Sequence, residues 1–145
     1  MIQYIESSLF LSLILEDEFQ EKASIIWNQK HENVSSILTS IETTIVVRRF
    51  FKLNKSKLPQ NWLSKNEKKL KELLSECSLV KIDESILSIL ELKKDISECR
   101  SLDAIHIATA IFLKNYFNES KLLFYSFDKR VNEVAKKFGL KPLDV

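Results

Sequence analysis

Short apolar segments with the length of β-strands alternate with longer helix-like segments along the whole chain, and this order constrains the fold most strongly. Strands are predicted over residues 2–5, 34–38, 79–82, 122–127 and 141–143. Helices are predicted over residues 9–15, 19–30, 39–53, 59–77, 83–94, 102–117 and 129–138. Strands joined through helices pair in parallel and have both faces covered. The pattern therefore predicts an α/β fold with a short, mostly parallel central sheet flanked by helices.

Composition excludes several classes of protein. The 145 residues are expected to form one domain over residues 1–145. The single glycine, Gly139, excludes a glycine-rich phosphate loop and is predicted to close the last helix. No apolar run reaches the ~18 residues of a membrane-spanning helix, and the first residues lack the basic character of a secretory signal. Because Cys77 and Cys99 fit reduced thiols, we expect a cytoplasmic protein. The lack of a membrane-length apolar run predicts no membrane partner.

Four acidic residues stand at the junctions of these segments, in unusually apolar surroundings. Glu6 follows the first predicted strand and Asp128 the fourth, while Glu42 and Asp103 lie in the first turns of predicted helices. Ligands of parallel sheets bind beyond the carboxyl ends of the strands, so all four acids are predicted at one edge. A carboxylate cluster cannot stay fully ionised without a counter-charge, and a hard divalent cation is the usual one.

Three of the four acids also have a local explanation. The segment TSIE, which ends at Glu42, has the form of a capping box. Asp103 suits the positive end of its helix, and Asp128 suits the N-cap position of the last helix. One of the two serines after Glu6 is predicted to cap the first helix, which leaves Glu6 with the weakest structural explanation. The acids therefore indicate a site only as a set.

The motifs around these acids resemble those of the PIN domain, and in particular the single-domain VapC-type toxin ribonucleases of bacterial toxin–antitoxin pairs. The four matching segments are YIESS, IETTIVVRR, RSLDAIHIATA and YSFDKRVNEVAKKFGL. They occur in the order and the element context of the family, along the length of the chain. The resemblance implies an α/β/α PIN-like fold.

The resemblance also implies an activity. Such a protein is a metal-dependent endoribonuclease that hydrolyses RNA phosphodiester bonds, in a structured RNA such as tRNA or rRNA, and that a cognate antitoxin neutralises. Carboxylates hold Mg²⁺ or Mn²⁺ because these ions prefer oxygen ligands. Exposed apolar residues of the first helices are expected to form a homodimer face or an antitoxin groove, on family analogy alone.

The resemblance assigns roles to individual residues. The expected catalytic residues are the four acids Glu6, Glu42, Asp103 and Asp128. All except Glu42 are expected to bind metal, directly or through water, and Glu42 is expected to hold a metal-bound water or to orient a ligand. Ser8 and Ser126 are expected to hydrogen-bond the acids or the scissile phosphate. Arg100 is expected to contact phosphate or to form an ion pair that restrains the cluster.

One departure from the family pattern leaves a second reading open. The family normally has aspartate where this chain has Glu6, and the extra methylene moves the carboxylate by ~1.5 Å. Since Mg²⁺ demands near-ideal octahedral geometry, the alternative is a catalytically impaired PIN-fold module that acts by binding antitoxin or RNA. A third reading, a phosphoacceptor regulator with an acidic Mg²⁺ pocket, lacks a paired acid beside Glu6 and a clear acceptor aspartate.

Two further features have plainer interpretations. His106 lies one helical turn after Asp103 on a very apolar helix, and is interpreted as a histidine at the edge of the core. The lysine-rich segment over residues 52–71 is interpreted first as a solvated helical arm and second as an RNA-contact face. The net charge is +2, and setting the four acids aside leaves an excess of six basic residues, which suits a polyanionic substrate.

Overall fold

The computed structural model describes residues 1–118 and 122–142. Across these ranges one sheet has the strand order β3-β2-β1-β4-β5. Its strands are β1 (Ile2–Ile5), β2 (Glu32–Ser36), β3 (Ser78–Val80), β4 (Leu122–Tyr125) and β5 (Leu140–Pro142). All four strand pairings are parallel, which confirms the predicted α/β fold. Leu143, at the end of the last predicted strand, lies outside the described residues.

Helices cover both faces of this sheet. They are α1 (Ser7–Leu15), α2 (Gln20–Trp27), α3 (Ile37–Leu53), α4 (Trp62–Ser75), α5 (Glu84–Leu92), α6 (Ser101–Tyr116) and α7 (Lys129–Lys137), with a 3₁₀ helix at Lys94–Glu98. Tyr4 and Phe124 belong to one buried apolar cluster, whereas Ile5 and Tyr125 belong to another. Because successive strand side chains point to opposite faces, the two clusters lie on opposite faces of the sheet. The architecture is thus α/β/α.

The start of α3 differs from the sequence prediction. Strand β2 ends at Ser36, where the hydroxyl accepts a 3.0 Å hydrogen bond from the Leu38 amide and caps the helix. The helix therefore begins two residues earlier than predicted, and Glu42 is its sixth residue. The capping-box interpretation of Glu42 is wrong, so this acid does not serve as part of a helix cap.

The start of α1 also differs. Glu6 itself is the N-cap residue, and its carboxylate accepts a 3.1 Å hydrogen bond from the Ser8 amide. The prediction that a serine caps this helix is wrong, because the longer side chain of Glu6 folds back onto the first turn. Glu6 therefore has a structural role as a helix cap, which the sequence analysis did not predict.

The other helix ends agree more closely. Asp128 caps α7 as predicted, with amides of Arg130 and Val131 donating to its carboxylate. Gly139 has a φ of 75° just beyond α7, the left-handed conformation that glycine adopts without strain. Within residues 1–118 and 122–142, no helix has both the length and the apolar character needed to cross a membrane.

Candidate carboxylate site at the edge of the sheet

Glu6 and Ser126 meet where the two central strands end. Glu6 directly follows β1, and its amide donates a 2.9 Å hydrogen bond to the Tyr125 carbonyl at the end of β4. The Ser126 hydroxyl donates to Glu6 Oε2 at 2.9 Å. Both side chains are buried, Glu6 with 5% of its surface exposed. The parallel pairing of β1 with β4 is what brings these two segments to one edge.

Ser8 completes a small network around the same oxygen. Its hydroxyl donates to Glu6 Oε2 at 2.6 Å and accepts a 2.9 Å hydrogen bond from the Phe127 amide. The Asp128 amide in turn donates to the Ser126 hydroxyl at 3.1 Å. Two serines therefore join the segment after β1 to the segment after β4, and both contact Glu6.

Asp103 lies in the first turn of α6 and faces the charges of the other three acids. Burial raises the pKa of its carboxyl, and so do the negative charges of Glu6, Asp128 and Glu42, while His106 opposes the rise. Its carboxylate accepts no hydrogen bond from the residues that the structure describes. The structure thus places Asp103 within electrostatic reach of the other three predicted acids, whose charges and its own burial destabilise its ionised form.

Glu42 is held by different partners. Its Oε1 accepts a 2.8 Å hydrogen bond from the Ser7 hydroxyl and lies 2.5 Å from Nε2 of His106. Burial raises the pKa of this carboxyl, but the hydrogen bond and charge of His106 and the Ser7 hydroxyl outweigh it, so the pKa is lowered. The pKa values of the two half-buried acids are therefore shifted in opposite directions, upward for Asp103 and downward for Glu42.

The comparisons with known proteins bear on the family and the fold of the chain. A family model described as PIN domain matches residues 4–137. The chain belongs to the PIN domain family. PIN domains are typically nucleases and generally use divalent metal ions. Among curated proteins, no significant match to the sequence was found.

One solved structure shares the fold over the whole length. It is a chain of the crystal structure of VapBC2 from Rickettsia felis bound to a DNA fragment from their promoter. The TM-score is 0.67, the sequence identity is 13%, and the match covers 99% of this chain and 100% of that chain. A likeness at this identity shows a common fold, and it confirms the predicted PIN-like architecture.

The site of this PIN domain fits a divalent ion in the type of its donor atoms. The candidate ligands Glu6, Asp103 and Asp128 offer only oxygens, which hard cations prefer. In residues 1–118 and 122–142, no three His, Cys, Asp or Glu side chains stand close enough together to form a metal-binding group. Glu6, Asp103 and Asp128 therefore do not form a metal-binding group by themselves in these ranges, and a Mg²⁺ ion there would depend on waters and substrate to complete its shell.

Arg100 does not form the ion pair that was one of its two predicted roles. It directly precedes α6, its side chain is exposed, and it makes no ion pair with any residue in the described ranges. The predicted ion pair that restrains the acidic cluster is therefore wrong. The exposed guanidinium remains beside the start of the helix that carries Asp103.

Sequence reasoning missed three contributors to the site. Ser7 donates to Glu42, His106 lies against the same oxygen, and the Tyr4 hydroxyl is 2.7 Å from His106 Nδ1. His106 is buried, as its apolar helix predicts, but both of its ring nitrogens have polar partners. The available signal was a histidine one turn after Asp103 on that helix.

Proposed function

We propose that this PIN domain, acting as one domain over residues 1–145, is a Mg²⁺- or Mn²⁺-dependent endoribonuclease of the VapC toxin type. The observation that carries the proposal is the position of Asp103, in the first turn of α6, within electrostatic reach of Glu6, Glu42 and Asp128 from three other segments. The raised pKa of Asp103 supports it, because burial and the other three acids disfavour its ionised form. A divalent cation would relieve that repulsion.

The substrate chemistry suits these residues. A phosphodiester is anionic and repels an attacking hydroxide, and a bound divalent ion supplies activated water and screens that charge. Glu6, Asp103 and Asp128 hold the ion in this proposal. Glu42, whose lowered pKa favours the ionised form, accepts a hydrogen bond from the attacking water.

The remaining site residues orient these groups or the substrate. Ser8 and Ser126 hold the Glu6 carboxylate through the hydrogen bonds described above. The exposed Arg100 contacts a phosphate of a structured RNA such as tRNA or rRNA. The enzyme acts in the cytoplasm.

A cognate antitoxin is the proposed protein partner. The VapBC2 assembly with the similar fold supports this class of partner. In this chain, α3 carries an apolar stripe in which Ile37, Ile41 and Ile45 are 38%, 51% and 47% exposed. These residues recur every fourth position and so share one side of the helix. We assign the stripe to the predicted homodimer face or antitoxin groove.

The second candidate function is a binding module with an impaired site. This function is favoured by the hydrogen bonds of Glu6 Oε2, which accepts two from Ser8 and one from Ser126. A carboxylate engaged in capping its own helix is less available to a metal. In this reading the protein acts through its antitoxin or RNA without cleavage.

Cleavage assays separate the two functions. Purified protein is incubated with structured RNAs in the presence and absence of Mg²⁺ or Mn²⁺, alongside Asp103→Asn and the matched control Asp95→Asn, an exposed acid on the 3₁₀ helix. Metal-dependent cleavage that Asp103→Asn abolishes and Asp95→Asn retains supports the nuclease. No cleavage by the native protein, together with cleavage by Glu6→Asp, overturns native activity and supports the impaired module.

A further inference from the structure

A buried hydrogen-bonded chain runs from the centre of the sheet to the carboxylate of Glu42. The Tyr4 hydroxyl lies 2.7 Å from His106 Nδ1, and His106 Nε2 lies 2.5 Å from Glu42 Oε1. Tyr4 and His106 have no exposed surface, whereas 20% of the Glu42 side chain is exposed. The chain therefore starts in the core and ends at the site.

The chemistry of the end groups fixes the direction of the hydrogen bonds. An ionised carboxylate only accepts, so Nε2 of His106 carries a hydrogen and donates to Glu42. When the ring is neutral, Nδ1 is the acceptor and the Tyr4 hydroxyl donates to it, so Tyr4 holds the neutral histidine in the tautomer that Glu42 requires. When the ring is protonated, both nitrogens donate and the positive charge adds to the attraction on Glu42.

Ser7 provides a second donor to the same oxygen. Its hydroxyl donates to Glu42 Oε1 at 2.8 Å and lies 3.2 Å from His106 Nε2. Both contacts fall on Oε1, and Oε2 of Glu42 has no hydrogen-bond partner among the residues described. The carboxylate is therefore anchored by one oxygen while the other stays available.

We propose that His106 is a positioning residue that fixes the Glu42 carboxylate, with Tyr4 setting its tautomer and Ser7 as the second donor. This inference rests on the proposed nuclease function, in which Oε2 of Glu42 meets the attacking water. Groups behind a catalytic carboxylate act by restricting its orientation, so their loss lowers kcat more than it raises KM.

The sharpest test removes a single oxygen atom. Tyr4→Phe deletes the hydroxyl behind His106, and Tyr125→Phe is the matched control, since its hydroxyl contacts Gln29 and no member of the chain to Glu42. With RNA cleavage as the readout, Tyr4→Phe is expected to lower kcat about 5–10-fold, which corresponds to one hydrogen bond. KM is expected to stay within about 2-fold of its native value, the criterion for an unchanged binding step. Tyr125→Phe is expected to retain native values of both.

Substitutions of the histidine add a rescue criterion. His106→Leu removes both hydrogen bonds, whereas His106→Gln keeps a side-chain amide that can still donate to Glu42. Positioning predicts that the glutamine variant retains more of kcat than the leucine variant. If His106→Leu fails to fold, Tyr4→Phe and the ring-nitrogen signals below decide the question.

The hydrogen-bond network can also be tested without an RNA cleavage assay, by NMR measurement of the ¹⁵N signals of the His106 ring. Glu42→Gln is expected to shift the Nε2 signal, and Tyr4→Phe the Nδ1 signal, with Tyr125→Phe shifting neither. The positioning role is contradicted if Tyr4→Phe retains the native kcat, or if neither substitution shifts its ring signal. In either case, cleavage of RNA by the native protein would still support the nuclease proposal. A native protein that cleaves no RNA overturns the nuclease proposal, and the positioning role falls with it even if the ring signals move.

Discussion

The hydroxyl of Ser126 donates a 2.9 Å hydrogen bond to the carboxylate of Glu6, across 120 residues of sequence. The same carboxylate oxygen accepts hydrogen bonds from the amide and the hydroxyl of Ser8. This one atom therefore caps α1 and links the end of β1 to the end of β4. Glu6 thus combines a structural task with its place at the candidate site. A carboxylate held in this way stabilises the fold before any ligand binds.

Replacing Glu6 separates these two tasks. Glu6→Ala leaves the Ser8 amide and the buried Ser126 hydroxyl without their acceptor, and we expect a loss of about 1–3 kcal/mol in the free energy of unfolding. Glu6→Asp still offers a carboxylate to the first turn and is expected to lose less than half as much, since aspartate is a favoured N-cap residue. Urea unfolding measures both.

The control for this series is Glu91→Ala, which removes an exposed glutamate of α5 far from the site in sequence. It is expected to change the free energy of unfolding by less than about 0.5 kcal/mol. Equal effects of Glu6→Ala and Glu91→Ala would contradict the role of Glu6 as a cap and clamp.

Asp103→Asn is expected to stabilise the protein while it abolishes cleavage. The pKa of Asp103 is raised in the folded state, so the folded protein binds more protons and loses stability as the pH rises through that pKa. A neutral asparagine removes this cost, and we expect the melting temperature at pH 7.5 to rise by about 1–3 °C, a modest size because the group is partly solvated.

The gain from Asp103→Asn is expected to shrink as the pH falls and to vanish below about 4, the ordinary pKa of aspartate, because Asp103 becomes protonated in both states only below that value. Melting curves at several pH values without divalent ions measure this difference. A gain that is constant across the pH range would mean that charge repulsion is not its cause.

Glu42 is expected to show the opposite dependence on pH. Its pKa is lowered in the folded state, so its contribution to stability is complete above the ordinary glutamate pKa, about 4.3, and is lost as the pH falls through the folded value. Glu42→Gln is therefore expected to destabilise the protein at pH 7 and to approach native stability at low pH. Urea unfolding at pH 7 and below pH 4 tests this, and a deficit that grows on acidification would contradict it.

The sequence predicts the parallel sheet and the positions of the acids along it, but it does not predict their hydrogen bonds. Alternating apolar segments are enough to place Glu6 and Asp128 after parallel strands, and helix periodicity is enough to place Asp103 in a first turn. The cap formed by Glu6 escapes prediction because glutamate is not a favoured N-cap residue. Its carboxylate is held there partly by Ser126, which directly follows β4 and lies 120 residues away in the sequence.

The network around Glu42 escapes prediction for a related reason. Ser7, Glu42 and His106 belong to α1, α3 and α6, and their contact depends on how three helices pack around the sheet. Such packing distances are set by side-chain volumes across the whole core, which no local pattern contains. From the sequence alone, His106 is therefore interpreted as a core residue, although its ring lies between the polar groups of Tyr4 and Glu42.

Divalent ions are expected to stabilise the native protein, and this test is independent of any RNA. Ligands that bind only the folded state add about 2.7 kcal/mol at 100 times their dissociation constant, so Mn²⁺ or Mg²⁺ should raise the melting temperature in a saturable way. Asp103→Asn removes one proposed ligand and is expected to lose most of this rise, while Asp95→Asn, outside the site, is expected to keep it. Excess chelator should return the native protein to its metal-free melting temperature. An equal rise in native protein and Asp103→Asn would place the bound ion elsewhere on the chain.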